Sequence, residues 1–262
     1  MCYKLRRMRI WQRIRLGVTW KARKAYARLT APRQPRVPSR YVLARNRYGE
    51  YCIPRSGLHR PAAHRVLTSR VWEQATIDLL QRQRGDVVHA GTSFGDFLPA
   101  LDASRQDGET VWAFEPNSEN HRCAQMTVLL NDLGRVQLRH AALTARPGKV
   151  LLAVTSVRGR ARGGGSRVVS TPKGEQQVEE VAALTIDEAI PAERRVGVIQ
   201  LDVEGHEQPA LEGALATIAR CRPLLVLESA PAAEWFKRTL APLGYGAPAR
   251  VHNNRVYRPA GP

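Results

Sequence analysis

Four short apolar runs constrain this chain more than any other feature: residues 86–90, 110–114, 196–201 and 224–228. Each is rich in Val, Ile, Leu or aromatic residues, and each is too short to be a buried helix. Each ends in, or is followed by, a glycine or an acid, and then comes a stretch of helical periodicity. Strands that are buried on both faces read as continuous apolar runs, and strand–helix alternation closes into a parallel sheet with helices on both sides. The expected fold is therefore α/β, Rossmann-like and doubly wound, with a mostly parallel sheet and a C-terminal antiparallel hairpin at 244–257. Helices are predicted at 71–83, 96–104, 117–132, 206–219 and 232–240, with Ser69 and Asn117 as caps, and Thr185 caps a short helical turn. Further strands are expected at 136–139, 149–154 and 178–183. A small hairpin is expected within 41–53, and residues 158–175 read as a Gly/Arg-rich mobile surface loop.

Charge divides the chain unevenly. Of 262 residues, the first 49 hold 15 Lys and Arg and no acid, which leaves 26 bases against 23 acids in the rest. The net charge of +18 is thus a property of the N-terminal extension. Leu5, Met8, Ile10, Trp11, Ile14, Leu16 and Val18 recur at roughly helical spacing among arginines, the pattern of a basic amphipathic helix. Pro32, Pro35 and Pro38 mark a linker. Residues 1–40 are expected to seek phosphates, on nucleic acid or on an anionic membrane face; a solvated extension is the plainer alternative. Residues 41–84 then supply a hairpin and helix that pack on the core, and 85–262 form the core domain. No run approaches the ~20 apolar residues that span a bilayer. Cys2, Cys52, Cys123 and Cys221 form no CxxC pair, which argues against a zinc site or a disulfide framework. A cytoplasmic protein, or one peripheral to the inner membrane face, is expected, with no metal.

In sheets of this kind ligands bind beyond the carboxyl ends of the strands. The first strand ends at Gly91, and Gly91-Thr92-Ser93-Phe94-Gly95 turns into the next helix. The second ends in Phe114-Glu115-Pro116-Asn117, with Glu115 24 residues after Gly91, where an acid can accept both hydroxyls of a ribose. Alternatively, Glu115 serves the dipole of the following helix. A pyrophosphate-binding GxGxxG is absent, and Asp96 would repel a phosphate. A carboxylate there suits a cationic cofactor, S-adenosyl-L-methionine rather than NAD. The strand at 196–201 ends in Leu201-Asp202-Val203-Glu204-Gly205-His206-Glu207. Asp202, Glu204 and His206 are the candidate catalytic residues: Asp202 to hold an amino group or orient substrate, Glu204 or His206 to accept a hydroxyl proton. The alternative is that Glu204, His206 and Glu207 only start a helix.

Together, residues 89–97, 113–120 and 201–207 resemble the FkbM-type methyltransferases. The likeness runs on through Gly163-Gly164-Gly165-Ser166-Arg167, Leu184-Thr185-Ile186-Asp187 and Leu211-Glu212-Gly213-Ala214. It implies S-adenosylmethionine-dependent O-methylation of a small-molecule or saccharide acceptor on a class I methyltransferase fold. By that resemblance Gly91, Thr92, Phe94 and Gly95 line the methionine end of the donor. Glu115 holds the ribose with Pro116 and Asn117 beside it, and Ala141 and Ala142 approach the adenine. His89 stands where the family usually has an acid, so Asp96 or Asp202 is expected to take over the donor's ammonium group. An RNA-directed methyltransferase that uses the basic tail, and a non-catalytic binding protein on a degenerate core, are the competing expectations.

Overall fold

The computed structural model describes residues 40–260. The basic helix and Pro-rich linker expected at 1–40 lie outside the described residues, except for Arg40. Strands β1 (Tyr41–Asn46) and β2 (Gly49–Pro54) form the expected antiparallel hairpin. Helix α1 (Pro61–Leu67) has no counterpart in the sequence reading. It opens on a proline, whose missing N–H costs nothing at a first helical position. Helix α2 (Gln74–Gln81) begins later than expected, because Ser69 takes a left-handed φ of 56° and does not cap it.

The chain then alternates. Strand β3 (Asp86–Ala90), helix α3 (Leu98–Ser104), strand β4 (Val111–Phe114), helix α4 (Ser118–Leu130) and strand β5 (Val136–Arg139) follow in order. Strands β6 (Ala142–Leu143), β7 (Gly148–Ala153), β8 (Arg167–Val169) and β9 (Val178–Leu184) come next, followed by the short helix α5 (Ile186–Ala189). After strand β10 (Val196–Leu201) come helices α6 (Glu207–Glu212) and α7 (Leu215–Cys221), strand β11 (Leu224–Leu227) and helix α8 (Ala233–Thr239). Strands β12 (Ala249–Val251) and β13 (Asn254–Tyr257) close the described chain.

Seven strands form one sheet in the order β12-β13-β11-β10-β3-β4-β5. Strands β3, β4, β5, β10 and β11 are mutually parallel, and β13 slots in antiparallel between β11 and β12. The central strands bury alternate residues on opposite faces. Val88, Ala90, Ile199 and Leu201 pack with Leu211 and Ile218, while Val87, Ala113, Val198 and Val226 pack with Leu80 and Leu101. This two-sided burial is why the runs carry no polar alternation. The sheet is doubly wound, as expected. At the end remote from the strand carboxyl termini, Asp86 binds the Arg194 guanidinium at 2.6 Å and accepts the Trp112 indole N–H at 2.8 Å.

Two departures matter for the site. The strands expected at 149–154 and 178–183 leave the main sheet and build a second one, in the order β6-β9-β7-β8. The helix expected at 206–219 breaks at Gly213, where any Cβ would lie 2.1 Å from the Thr144 carbonyl oxygen. Asp187 then accepts the N–H groups of Ala216 and Thr217 and starts α7 afresh.

Candidate active site

The carboxyl ends of β3, β4, β10 and β11 converge on a crevice with two adjoining compartments, of about 950 and 440 Å³ counted to their open mouths. Gly91, Gly164 and Asp202 line both. Gly91 has φ +83°, and an added Cβ would come 1.8 Å from the Asp202 carbonyl oxygen. Only glycine lets the turn after β3 lie against the loop after β10.

Carboxylates dominate the larger compartment. Glu73, Asp96, Asp202, Glu204 and Glu228 all line it, and the one arginine among its lining residues, Arg60, binds Glu204 at 3.2 Å. Burial, with Glu73 nearby, pushes the Asp96 carboxyl up to about 7. Burial and the adjoining Glu228 raise Asp202 well above the usual carboxylate range. Burial and Glu228 also raise Glu204, against the pull of Arg60 and Arg162. A concentration of acids at this depth favours a cationic occupant. Among the described residues no group of His, Cys, Asp and Glu has the arrangement to hold a metal ion.

The smaller compartment is lined by Phe114, Glu115, Pro116, Ala141, Ala142, Leu143, Val203 and His206, under a roof of Gly164, Ser166 and Val168. Glu115 accepts the Ser93 N–H at 2.6 Å and the Asn117 N–H at 2.8 Å, so it ties the two strand-end loops together. Burial pushes its carboxyl up to about 7, while these backbone N–H groups pull it back. Each carboxylate oxygen keeps a further lone pair for a ligand hydroxyl.

The expected residues thus fall into three groups. Gly91, Phe94, Asp96, His89, Asp202 and Glu204 gather at the first compartment; Glu115, Pro116, Ala141, Ala142 and His206 gather at the second. His206 sits away from the acidic floor, with burial lowering its pKa and its Nε2 buried without a partner among the described residues. Thr92, Gly95 and Asn117 are buried and line neither compartment; they belong to the loops around them. Thr92 donates to the His89 carbonyl, and Asn117 caps α4 and donates to Ser166 Oγ at 3.1 Å. Glu207 folds its own loop, accepting the Val203 N–H at 3.1 Å.

Sequence reasoning missed several lining residues. Arg60, Trp72 and Glu73 come from the segment before β3, and Gln200 faces the site from within β10. Glu228 stands at the end of β11 and carried the same signal as Glu115 and Asp202, an acid closing a buried strand. The expected mobile loop at 158–175 instead folds a triple-glycine 3-10 turn, Gly163–Gly165, and strand β8 over the crevice.

A parallel core with one antiparallel strand next to its edge, a glycine turn after its first strand and an acid closing its second define a class I, Rossmann-like methyltransferase. The Methyltransferase FkbM domain matches residues 89–246. The chain belongs to the FkbM family of S-adenosylmethionine-dependent methyltransferases. It is similar to an FkbM methyltransferase from Methylobacillus flagellatus (18% identity over 66% of this chain, TM-score 0.45), of whose length it spans 43%. A methyltransferase from Geobacter sulfurreducens matches at 14% identity over 73% of this chain and 83% of its own, with TM-score 0.39. A SAM-dependent methyltransferase from Aquifex aeolicus matches at 14% over 71% and 88%, also with TM-score 0.39. No curated protein matches the sequence.

Proposed function

We propose that the protein transfers the methyl group of S-adenosyl-L-methionine to a hydroxyl oxygen of a small molecule or saccharide. The observation that carries this reading is the pairing of a cation-seeking floor, Asp96, Asp202, Glu204 and Glu228, with an adjoining crevice closed by Glu115. A donor with a cationic amino-acid end and a nucleoside end matches those two chemistries in that order. Glu115 would take the ribose hydroxyls, Pro116, Ala141, Ala142 and His206 the base, and Gly91 and the acids the methionine end. When bound, the donor supplies an electrophilic methyl on a sulfonium.

The chain's own contribution is mostly positioning. The Gly91 turn brings the β3 and β10 loops into contact, the turn at Gly164 covers the junction of the two compartments, and the carboxylates balance positive charge. Burial beside Glu228 favours the protonated form of Asp202. Glu204, on the same floor, is the base offered to the acceptor hydroxyl. His206 belongs to the nucleoside side in this reading, so it is not the base. Trp72 and Asn253, which line the larger compartment, offer an acceptor an apolar face and an amide.

Titration calorimetry tests the reading directly. S-adenosylmethionine and S-adenosylhomocysteine should both give saturable heat, NAD should give none, and Glu115→Ala should abolish the signal. Folded protein that gives no heat with either nucleoside would refute the donor assignment.

A further inference from the structure

Behind the acidic floor lies a neutral pair that the reaction above leaves unused. His89 and Gln200 are direct cross-strand neighbours on β3 and β10, and each is 3% exposed. The His89 Nδ1 meets the Gln200 Oε1. The imidazole lies flat against Phe97, with centroids 5.3 Å apart and 4° between the planes, so the ring is held by both edge and face. An amide oxygen only accepts, so Nδ1 carries the ring proton and Nε2 keeps a bare lone pair. That Nε2 is buried without a hydrogen-bond partner among the described residues. Both side chains line the compartment that holds Asp96, Asp202 and Glu228.

An unsatisfied buried acceptor calls for a donor, and the surrounding acids make an anion an unsuitable one. A cationic N–H group satisfies both. Of the donor's two cationic centres the sulfonium has no hydrogen to give, which leaves the ammonium. A neutral imidazole also adds an acceptor without adding another negative charge to a floor already crowded with them.

We propose that Gln200 is a positioning residue that fixes His89 as its Nδ1–H tautomer, so that Nε2 accepts an N–H from the ammonium of the donor's amino-acid end. The inference rests on the S-adenosylmethionine reading. Burial, which pushes the imidazole down to about 4, keeps it neutral near pH 7.

Two ligands that share an adenosine and differ at the amino-acid end separate the possibilities: S-adenosylhomocysteine and 5′-methylthioadenosine. His89→Phe should weaken the first about tenfold and leave the second unchanged, and Gln200→Leu should do the same to a smaller degree. In the unaltered protein, ¹⁵N spectra of the histidines should show His89 Nε2 as lone-pair nitrogen that shifts with S-adenosylhomocysteine and not with 5′-methylthioadenosine. Equal losses for both ligands, or a protonated Nε2 in the free protein, or an Nε2 that stays still while S-adenosylhomocysteine binds, would overturn the proposal alone. If neither ligand binds the unaltered protein, the donor reading fails and takes this inference with it.

Discussion

At the residue scale, Gly91 leaves no room for a side chain between the loops after β3 and β10. Gly91→Ala places a methyl where the Asp202 carbonyl oxygen already sits, on a backbone of φ +83°. The expected cost is about 1–3 kcal/mol of stability from strain and overpacking, read by urea unfolding, with loss of S-adenosylhomocysteine binding. Glu115→Gln turns an N–H toward one of the two backbone N–H groups that the carboxylate now receives. It should cost about 1–3 kcal/mol as one buried donor goes unsatisfied, measured by the same unfolding curves. Glu115 and Asp202 were legible because each closes an apolar run. The setting of His89 was not, since its partner Gln200 lies 111 positions away and meets it only across the sheet. The side of the site on which His206 falls depends on the path of the loop after β10, which spacing alone does not give.

At the scale of elements, caps were legible where side chain and backbone agree. Asn117 accepts the N–H groups of Glu119 and Asn120, and Thr185 forms a reciprocal pair with Glu188. Asn117→Ala should cost about 1 kcal/mol through the lost cap, with a smaller thermal shift if Ser166 is replaced by Ala in the same chain, since the two share a bond. Ser69 carries the right side chain in the wrong backbone conformation, and composition could not reveal that. Nor could it reveal that the arginine-rich stretch folds inward. There the decisive contacts are tertiary: Gly163 packs on Gly57, and a Cβ on Gly164 would come 3.3 Å from Ser93 Oγ. Gly164→Val should therefore leave unfolding nearly unchanged and lower S-adenosylhomocysteine affinity at least tenfold, as seen by calorimetry, because its side chain enters the junction of the two compartments.

At the scale of the whole molecule, the strand–helix alternation was enough to specify a doubly wound sheet. It was not enough to show that β6 to β9 form a second sheet, because a short strand carries no mark of which neighbour it will pair with. The buried acids predict how stability responds to pH. Asp96 and Glu115, raised from 3.8 and 4.5 to about 7, hold protons in the folded chain that the unfolded chain has already released. Stability therefore declines as pH rises from about 4 and has lost their contribution above 7. His89, lowered from 6.5 to about 4, works in the opposite sense, withdrawing stability as pH falls through 6.5 toward 4. Above 6.5 only the acids act, so the melting temperature of the ligand-free protein should fall between pH 6.5 and 8. S-adenosylmethionine, whose sulfonium gives it the net positive charge that S-adenosylhomocysteine lacks, should raise the melting temperature more at pH 8 than at pH 6, and scanning fluorimetry across that range checks both.

The glycine roof also bears on timing. A nucleoside seated beneath Gly164, Ser166 and Val168 would lie under backbone that packs on Arg60, which is itself bridged to Glu204. On the proposed reaction, spent donor has to pass that backbone on its way out, so turnover should be paced by departure of the demethylated product, and acceptors should arrive second and leave first.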